Sequence, residues 1–357
     1  MQIDGHHTLT YVVCRLAGMS HPEAHLVAYS AEYVDEATNG GAIGFDNGAM
    51  YHRISSAHKM LDYRNSLELA NHQVWIPFHF LPGNGGMEAG TNPEGNFIDK
   101  LICRPDSPPA RDMLKGAVSD KNKPYALFRL GIALHVYADT FAHQGFAGVI
   151  HKVNEVSDIE IIQPQKDESL FDKISSYFVN ETSPLGHGAS LSYPDRPYLK
   201  WNYIDGLGHT VSRDNHQIFC DAADAMCRAI QCYLEGDVSM SLEAQSGLPE
   251  ADSNLISDLL LEFDMDDGEE RHEKWLEVIA QGAFSFGSEN IEFIPKGIGS
   301  WKHEAIGQEK SQDDEDEKFE YKPAFLQSNW KLFHDALQAH RFDVLHNILP
   351  KYGICAA

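Results

Sequence analysis

The window YALFRLGIALHVYADTFAHQGF sets His135, Asp139 and His143 four residues apart. Each i to i+4 step on a helix turns about 40°, so the three side chains share one face. The same spacing lets the two histidines of an H-E-x-x-H helix grip one ion. The stripe that carries them is otherwise apolar: Phe128, Ile132, Ala142 and Phe146. Buried polar groups need partners and buried charges need counter-charges or metals. His135 and His143 lie about 12 Å apart along the axis, too far to share an ion at bond lengths of about 2 Å. A carboxylate between them resolves this. Asp139 would bridge two metals roughly 4 Å apart, a device that activates water and clamps a phosphoryl oxygen. The competing reading is a buried His-Asp hydrogen-bonded pair with His143 at the surface. A count of 19 histidines, roughly twice the usual share, favours the metal.

Further ligands would come from elsewhere in the chain. His6 and His7 open the first helix, and one of them faces inward. Asp35 ends the second helix, where a carboxylate opposes the helix dipole; this makes it a candidate ligand or general base. His58 is a candidate and His52 its alternative, because six residues apart they do not share a helical face. His79, in VWIPFHFLPG, reads as a core histidine first, with a ligand role as the alternative. His187 and Asp195 stand in the loop GHGASLSYPDRP, and loops on rigid scaffolds often carry function. His209 and His216 read as surface or outer positions. The chain has no G-x-G-x-x-G, no phosphate loop, no G-x-S-x-G and no H-E-x-x-H, and His334-Asp335 is a lone HD pair.

The elements that must position these residues are mostly helical. A first helix covers residues 6–18. Ser20 and Glu23 form a capping box for a second, with Pro22 in its first turn. A helix is expected at 50–63, an extended segment at 73–81 and surface loop at 87–123. Pro124 starts the buried central helix, about residues 124–143. Helices then follow near 168–180, 207–234, 251–263, 269–281 and 325–349, with a loop at 181–205. The predicted fold is mainly α: a multi-helix domain around the central helix, with few or no short strands. Residues 1–240 form the metal-binding domain, and 241–357 an acidic, mostly helical region.

With 28 basic and 53 acidic residues, the net charge is 28 − 53 = −25. Residues 243–320 hold 22 acids against 6 bases, a balance of −16. No basic surface exists for generic duplex nucleic-acid binding. The most apolar long window contains Arg129, His135, Asp139 and His143, so no transmembrane segment is expected. The start, MQIDGHHT, is not a secretory signal. Six cysteines without a C-x-x-C pair suit a reduced cytoplasmic location, though leaderless secretion as an effector remains an alternative.

The initial G-H-H, the second helix ending in Asp35 and the buried G-x-A-L-H-x-x-x-D helix resemble the zinc-dependent phospholipase C and single-strand nuclease superfamily. The stretches ISSAHKMLDYRN, PFHFLPGNGG, ALHVYADTFAHQGF and GHGASLSYPDRP resemble an uncharacterised bacterial family. The first resemblance implies an all-helical fold around a zinc cluster of His and Asp. It implies His6 or His7, His135 and Asp139 as ligands, and Asp35 as ligand or base. His143 stands two residues short of the superfamily's next histidine, and His187 with Asp195 is wider than its usual pair. The expected function is hydrolysis of a small-molecule or lipid phosphoester by water activated on two zinc ions. The alternative is a non-catalytic metal-binding or interaction protein on the same scaffold.

Overall fold

The computed structural model describes residues 1–58, 68–164, 185–186, 190, 192–310 and 317–356. At its centre lies α6 (Ala126–Ala142), in which every residue but Leu127 is buried. A helix can be apolar on all sides only if it is wrapped on all sides. Here the wrapping elements are α2 (His21–Glu36), α5 (Pro108–Ser119), α7 (Asn215–Glu235) and α11 (Asn329–Phe342). Gly131 permits the closest of these crossings, since a Cβ there would overlap the carbonyl oxygen of Val27 on α2.

The N-terminal helix α1 begins as a π-helical turn, Asp4–Leu9, and continues as Thr10–Leu16. Ser20 and Glu23 do form the capping box of α2, with Pro22 in the first turn. The helices α8 (Glu250–Glu262) and α9 (Gly268–Gln281) are amphipathic and place Leu259, Leu260 and Trp275 in the same apolar cluster as Leu9, Leu134 and Phe219. A second cluster joins Tyr29 and Phe128 to Trp301, Trp330 and Phe333, the first of these three on α10 (Trp301–Ile306).

The fold is mixed helix and sheet, which corrects the expectation of a mainly helical protein with few or no strands. Among the described residues, helix makes up 54% and strand 11%, the strands forming two three-stranded sheets. In the first, β1 (Gly41–Phe45) pairs antiparallel with β2 (Met50–Arg53) and parallel with β6 (Lys318–Phe319). In the second, β3 (Val156–Gln163), β4 (Lys200–Asp205) and β5 (Thr210–Asp214) form an antiparallel meander. Trp201 and Tyr203 alternate inward along β4, and residues of this kind fit a pleated, half-buried surface.

Several local expectations change with it. Residues 50–53 are strand rather than helix, and the start of the segment 207–234 is a hairpin arm before α7 begins. Residues 68–78 are helical, as α3 (Glu68–Phe78), with Pro77 in the last turn. The presumed loop at 87–123 contains α4 (Phe97–Leu101) and α5, the latter opened by Pro108 and Pro109. The helix expected near 168–180 and His187 lie outside the described residues. Among the described residues, no helix is long and apolar enough to cross a membrane.

Candidate metal centre

Four elements aim polar side chains at the carboxylate of Asp139. α6 supplies His135 and Asp139 and, just past its end, His143. α1 supplies His6, the residue after α3 is His79, and α2 supplies Asp35 from its last turn. All but Asp35 are buried, while the Asp35 side chain is 37% exposed and marks the way in from solvent.

Three histidines have one ring nitrogen fixed on a backbone carbonyl. His135 Nδ1 donates to Ala31 O at 2.8 Å, His79 Nε2 to Ser56 O at 2.9 Å and His143 Nδ1 to His79 O at 2.8 Å. A carbonyl only accepts, so the other nitrogen of each neutral ring carries a lone pair. Those lone pairs face acceptors. His79 Nδ1 lies 3.2 Å from His135 Nε2, and the two lie 3.4 and 3.3 Å from Asp139 Oδ2. Asp139 Oδ2 is buried without a hydrogen-bond partner. Acceptors crowded on one point repel unless a proton or a metal sits among them. The triangle's edges match the roughly 3.3 Å between ligand atoms of a tetrahedral ion with bonds of about 2.0–2.1 Å. Asp35 Oδ1 stands at 3.6 Å from His79 Nδ1 and 4.0 Å from His135 Nε2, and these three form a trio within chelating reach.

The other carboxylate oxygen faces a different group. His6 Nε2 lies 3.2 Å from Asp139 Oδ1, and the His6 ring stacks on His135 with centroids 3.7 Å apart. His6, His135 and Asp139 form a second trio within chelating reach. The Met1 amino group also lies 2.5 Å from Asp139 Oδ1 and 3.3 Å from Asp195 Oδ1. Asp195 is 3.3 Å from His143 Nε2. One carboxylate therefore presents its two oxygens to two separate sets of nitrogens, the arrangement a bridging ligand requires.

The electrostatics follow from burial and these neighbours. Burial opposes ionisation of Asp139, but His143, the Met1 ammonium, His6 and His135 hold its carboxyl well below the usual range. Burial also opposes charge on Met1, yet Asp139 and Asp195 raise its amine to about 11. His6 falls to about 3, through burial, His135 and that ammonium. Burial disfavours a proton on His79, but the nearby carboxylates of Asp139 and Asp35 raise it overall.

The predicted residues fall into three groups. His6, Asp35, His135, Asp139, His143 and Asp195 converge. His7 points away, its Nδ1 bonded to His272 Nε2 at 2.8 Å. His58 is buried and belongs to neither chelating trio; its ring lies 6.3 Å from that of Trp75, which in turn lies 5.1 Å from the His79 ring. His334 packs on Trp330, and Asp335 bonds Tyr51 and Lys331. His79 is the residue the sequence reading leaves in the core. Its signal was a histidine one residue past a helix end, just before a Pro-Gly turn.

No curated protein and no solved structure matches the chain. Residues 1–348 match the family described as "Family of unknown function (DUF6765)", and the chain belongs to that family.

Proposed function

We propose that this protein is a metal-dependent hydrolase of phosphoesters, with Asp139 bridging two divalent ions, zinc being the best fit to a His and Asp donor set. The observation that carries the reading is the triangle of His79 Nδ1, His135 Nε2 and Asp139 Oδ2, with edges of 3.2, 3.4 and 3.3 Å. His79, His135 and Asp35 would hold one ion; His6, His143 and Asp195 surround the place for the other. A divalent ion held there would supply Lewis acidity, acidifying a bound water and polarising a phosphoryl oxygen. Asp35, the most exposed carboxylate of the set, would serve as a ligand or, if not bound to the ion, as the base for a water. His79, His135 and His143 keep their tautomers through backbone carbonyls, so each presents a fixed lone pair. The strongly acidic surface favours a soluble phosphoester over an anionic lipid surface.

A second reading has support from the Met1 amine, 2.5 Å from Asp139. An ammonium there stabilises Asp139 and Asp195 without any metal, leaving a structural ion cluster or a non-catalytic scaffold. Elemental analysis by plasma mass spectrometry on protein purified without a histidine tag separates the two, followed by assay with bis(p-nitrophenyl) phosphate. About two metal ions per chain, the count expected of a carboxylate-bridged pair, with hydrolysis lost in Asp139→Asn, is the expected result. A folded wild type that carries no metal and takes none up from added zinc rules out the hydrolase.

A further inference from the structure

The two ions of the proposed pair would sit in unlike surroundings. On one side, His79, His135 and Asp35 stand on, or one residue past, the packed helices α3, α6 and α2. On the other, His143 caps the end of α6 and Asp195 closes a short turn, Tyr193–Asp195. Helix ends and single turns leave carbonyls without a partner in regular structure, so the backbone there is fixed by whatever donors reach it. The junction of β5 and α7 supplies those donors.

Arg213, next to last in β5, donates from Nη2 to Ala142 O at 2.6 Å and from Nη1 to Gln144 O at 2.9 Å, the carbonyls on either side of His143. Asn215, the first residue of α7, donates from Nδ2 to Tyr193 O at 2.6 Å and to Arg196 O at 2.8 Å, and these two carbonyls bracket Asp195. The two clamps are joined: Asn215 Oδ1 accepts from Trp201 Nε1 at 3.3 Å and from Arg213 Nε at 3.5 Å. What they hold is joined as well, His143 Nε2 lying 3.3 Å from Asp195 Oδ1. Both clamping side chains are buried, and among the described residues Arg213 forms no ion pair. Its guanidinium carbon lies 5.9 Å from the Trp201 ring centre. A buried charge without a counter-charge is costly, and although a helix C-terminus offsets part of that cost, a glycine cap would end the helix without it. The planar fork of an arginine does what such a cap cannot: it reaches two carbonyls at once, and so fixes the backbone both before and after His143.

We propose that Arg213 and Asn215 are positioning residues for the second metal ion, acting through His143 and Asp195 and leaving the first ion untouched. The inference rests on the two-ion reading and deepens it. Neither residue is a ligand. Each holds the main chain on both sides of one, which is how outer hydrogen bonds tune a metal site. With one half built on packed helices and the other on clamped chain ends, the two ions load in order, the side of His79 and His135 first.

The test dialyses the full chain against zinc buffered at graded free concentrations and reads bound metal by plasma mass spectrometry, with a thermal melt of each protein. Wild type is compared with Asn215→Asp, which keeps the shape but loses both donated bonds, and with Arg213→Lys, which cannot span two carbonyls. Arg213→Lys carries the comparison alone if Asn215→Asp does not fold. The control is Asp252→Ala on α8, which bears none of the candidate ligands. Asp252 is buried and accepts from Ser285 N at 2.9 Å and Ser285 Oγ at 2.6 Å, so its loss weakens the fold elsewhere. Wild type should load in two steps. The positioning variants should keep the first step and need about tenfold or more free zinc for the second. The control should melt at a lower temperature yet load as wild type does. If the positioning variants load as wild type does, if both steps weaken together, or if the control also loses the second step, Arg213 and Asn215 only support the fold. The proposal then falls while the two-ion reading stands. A wild type that stops at one ion has no second place to position, which overturns the proposal and the bridging role of Asp139 together. One that takes up no ion removes the hydrolase reading as well.

Discussion

His135 Nδ1 donates to the carbonyl of Ala31, which lies one helical turn before Asp35 on α2. The bond that fixes the tautomer of one candidate ligand thus also fixes the helix that carries another. α2 and α6 make one of the most extensive helix contacts in the fold, and the site's geometry is set by how these two helices cross. Side chains outside the cluster therefore control it as much as the ligands do.

Asp139→Asn removes the carboxylate whose two oxygens face the two sets of nitrogens. Its Oδ1 also accepts from the Met1 ammonium, both being at most 1% exposed. Breaking a buried pair from one side leaves an uncompensated charge, a loss of about 3–5 kcal/mol. The expected outcome is a lower urea midpoint together with loss of bound metal. A variant that keeps wild-type metal content would show that Asp139 is not the bridge.

His79→Gln and His58→Gln should behave differently although both side chains are buried. His79 Nδ1 is a corner of the ligand triangle, whereas His58 belongs to neither chelating trio. Metal content should fall in the first and hold in the second, with metal titrations of the two purified variants as the check. Equal loss in both would move the site towards Trp75.

The same pair shows how far the sequence carries. His135 and Asp139 were legible because both lie on one helix at a spacing that forces them onto one face. His79 reaches His135 across 56 residues of chain, and no local period encodes that contact. His6 and His7 are neighbours on α1 and so point about 100° apart; only packing decides which turns to α6 and which to His272. The strands escaped for a related reason. β1 gains its parallel partner β6 from the far end of the chain, and a short apolar run with glycines carries no helical or strand period long enough to separate the two states.

The His7–His272 pair gives a pH dependence with a definite sign. Burial lowers His272 from 6.5 to about 4, and lowers His7 well below its usual value with His272 and His25 adding to it. Between pH 6.5 and 4 the unfolded chain binds the proton that the folded one excludes. This contribution to stability is full above pH 6.5 and declines as the pH falls towards 4, by about 1.4 kcal/mol per unit for one histidine. Urea denaturation at pH 7.5, 6.0 and 5.0 should show a shallower decline in His272→Gln than in wild type. Parallel slopes would mean that His272 does not exclude a proton in the fold.

Gly131→Ala tests the crossing of α2 and α6 without touching a ligand. A methyl at 131 would overlap the Val27 carbonyl oxygen and press on the Ser30 Cβ and the Ala31 nitrogen. Alanine is the better helix former by about 1 kcal/mol, so on an isolated helix the change would be favourable. In this fold α2 must move out instead, and overpacking of that kind costs about 1–3 kcal/mol. The displaced segment includes Ala31, whose carbonyl holds His135, and leads to Asp35. Thermal stability should therefore drop, and zinc affinity with it, although every candidate ligand is intact. If metal affinity stays at the wild-type level while the melting temperature falls, the position of α2 does not set the site and Asp35 is not among its ligands.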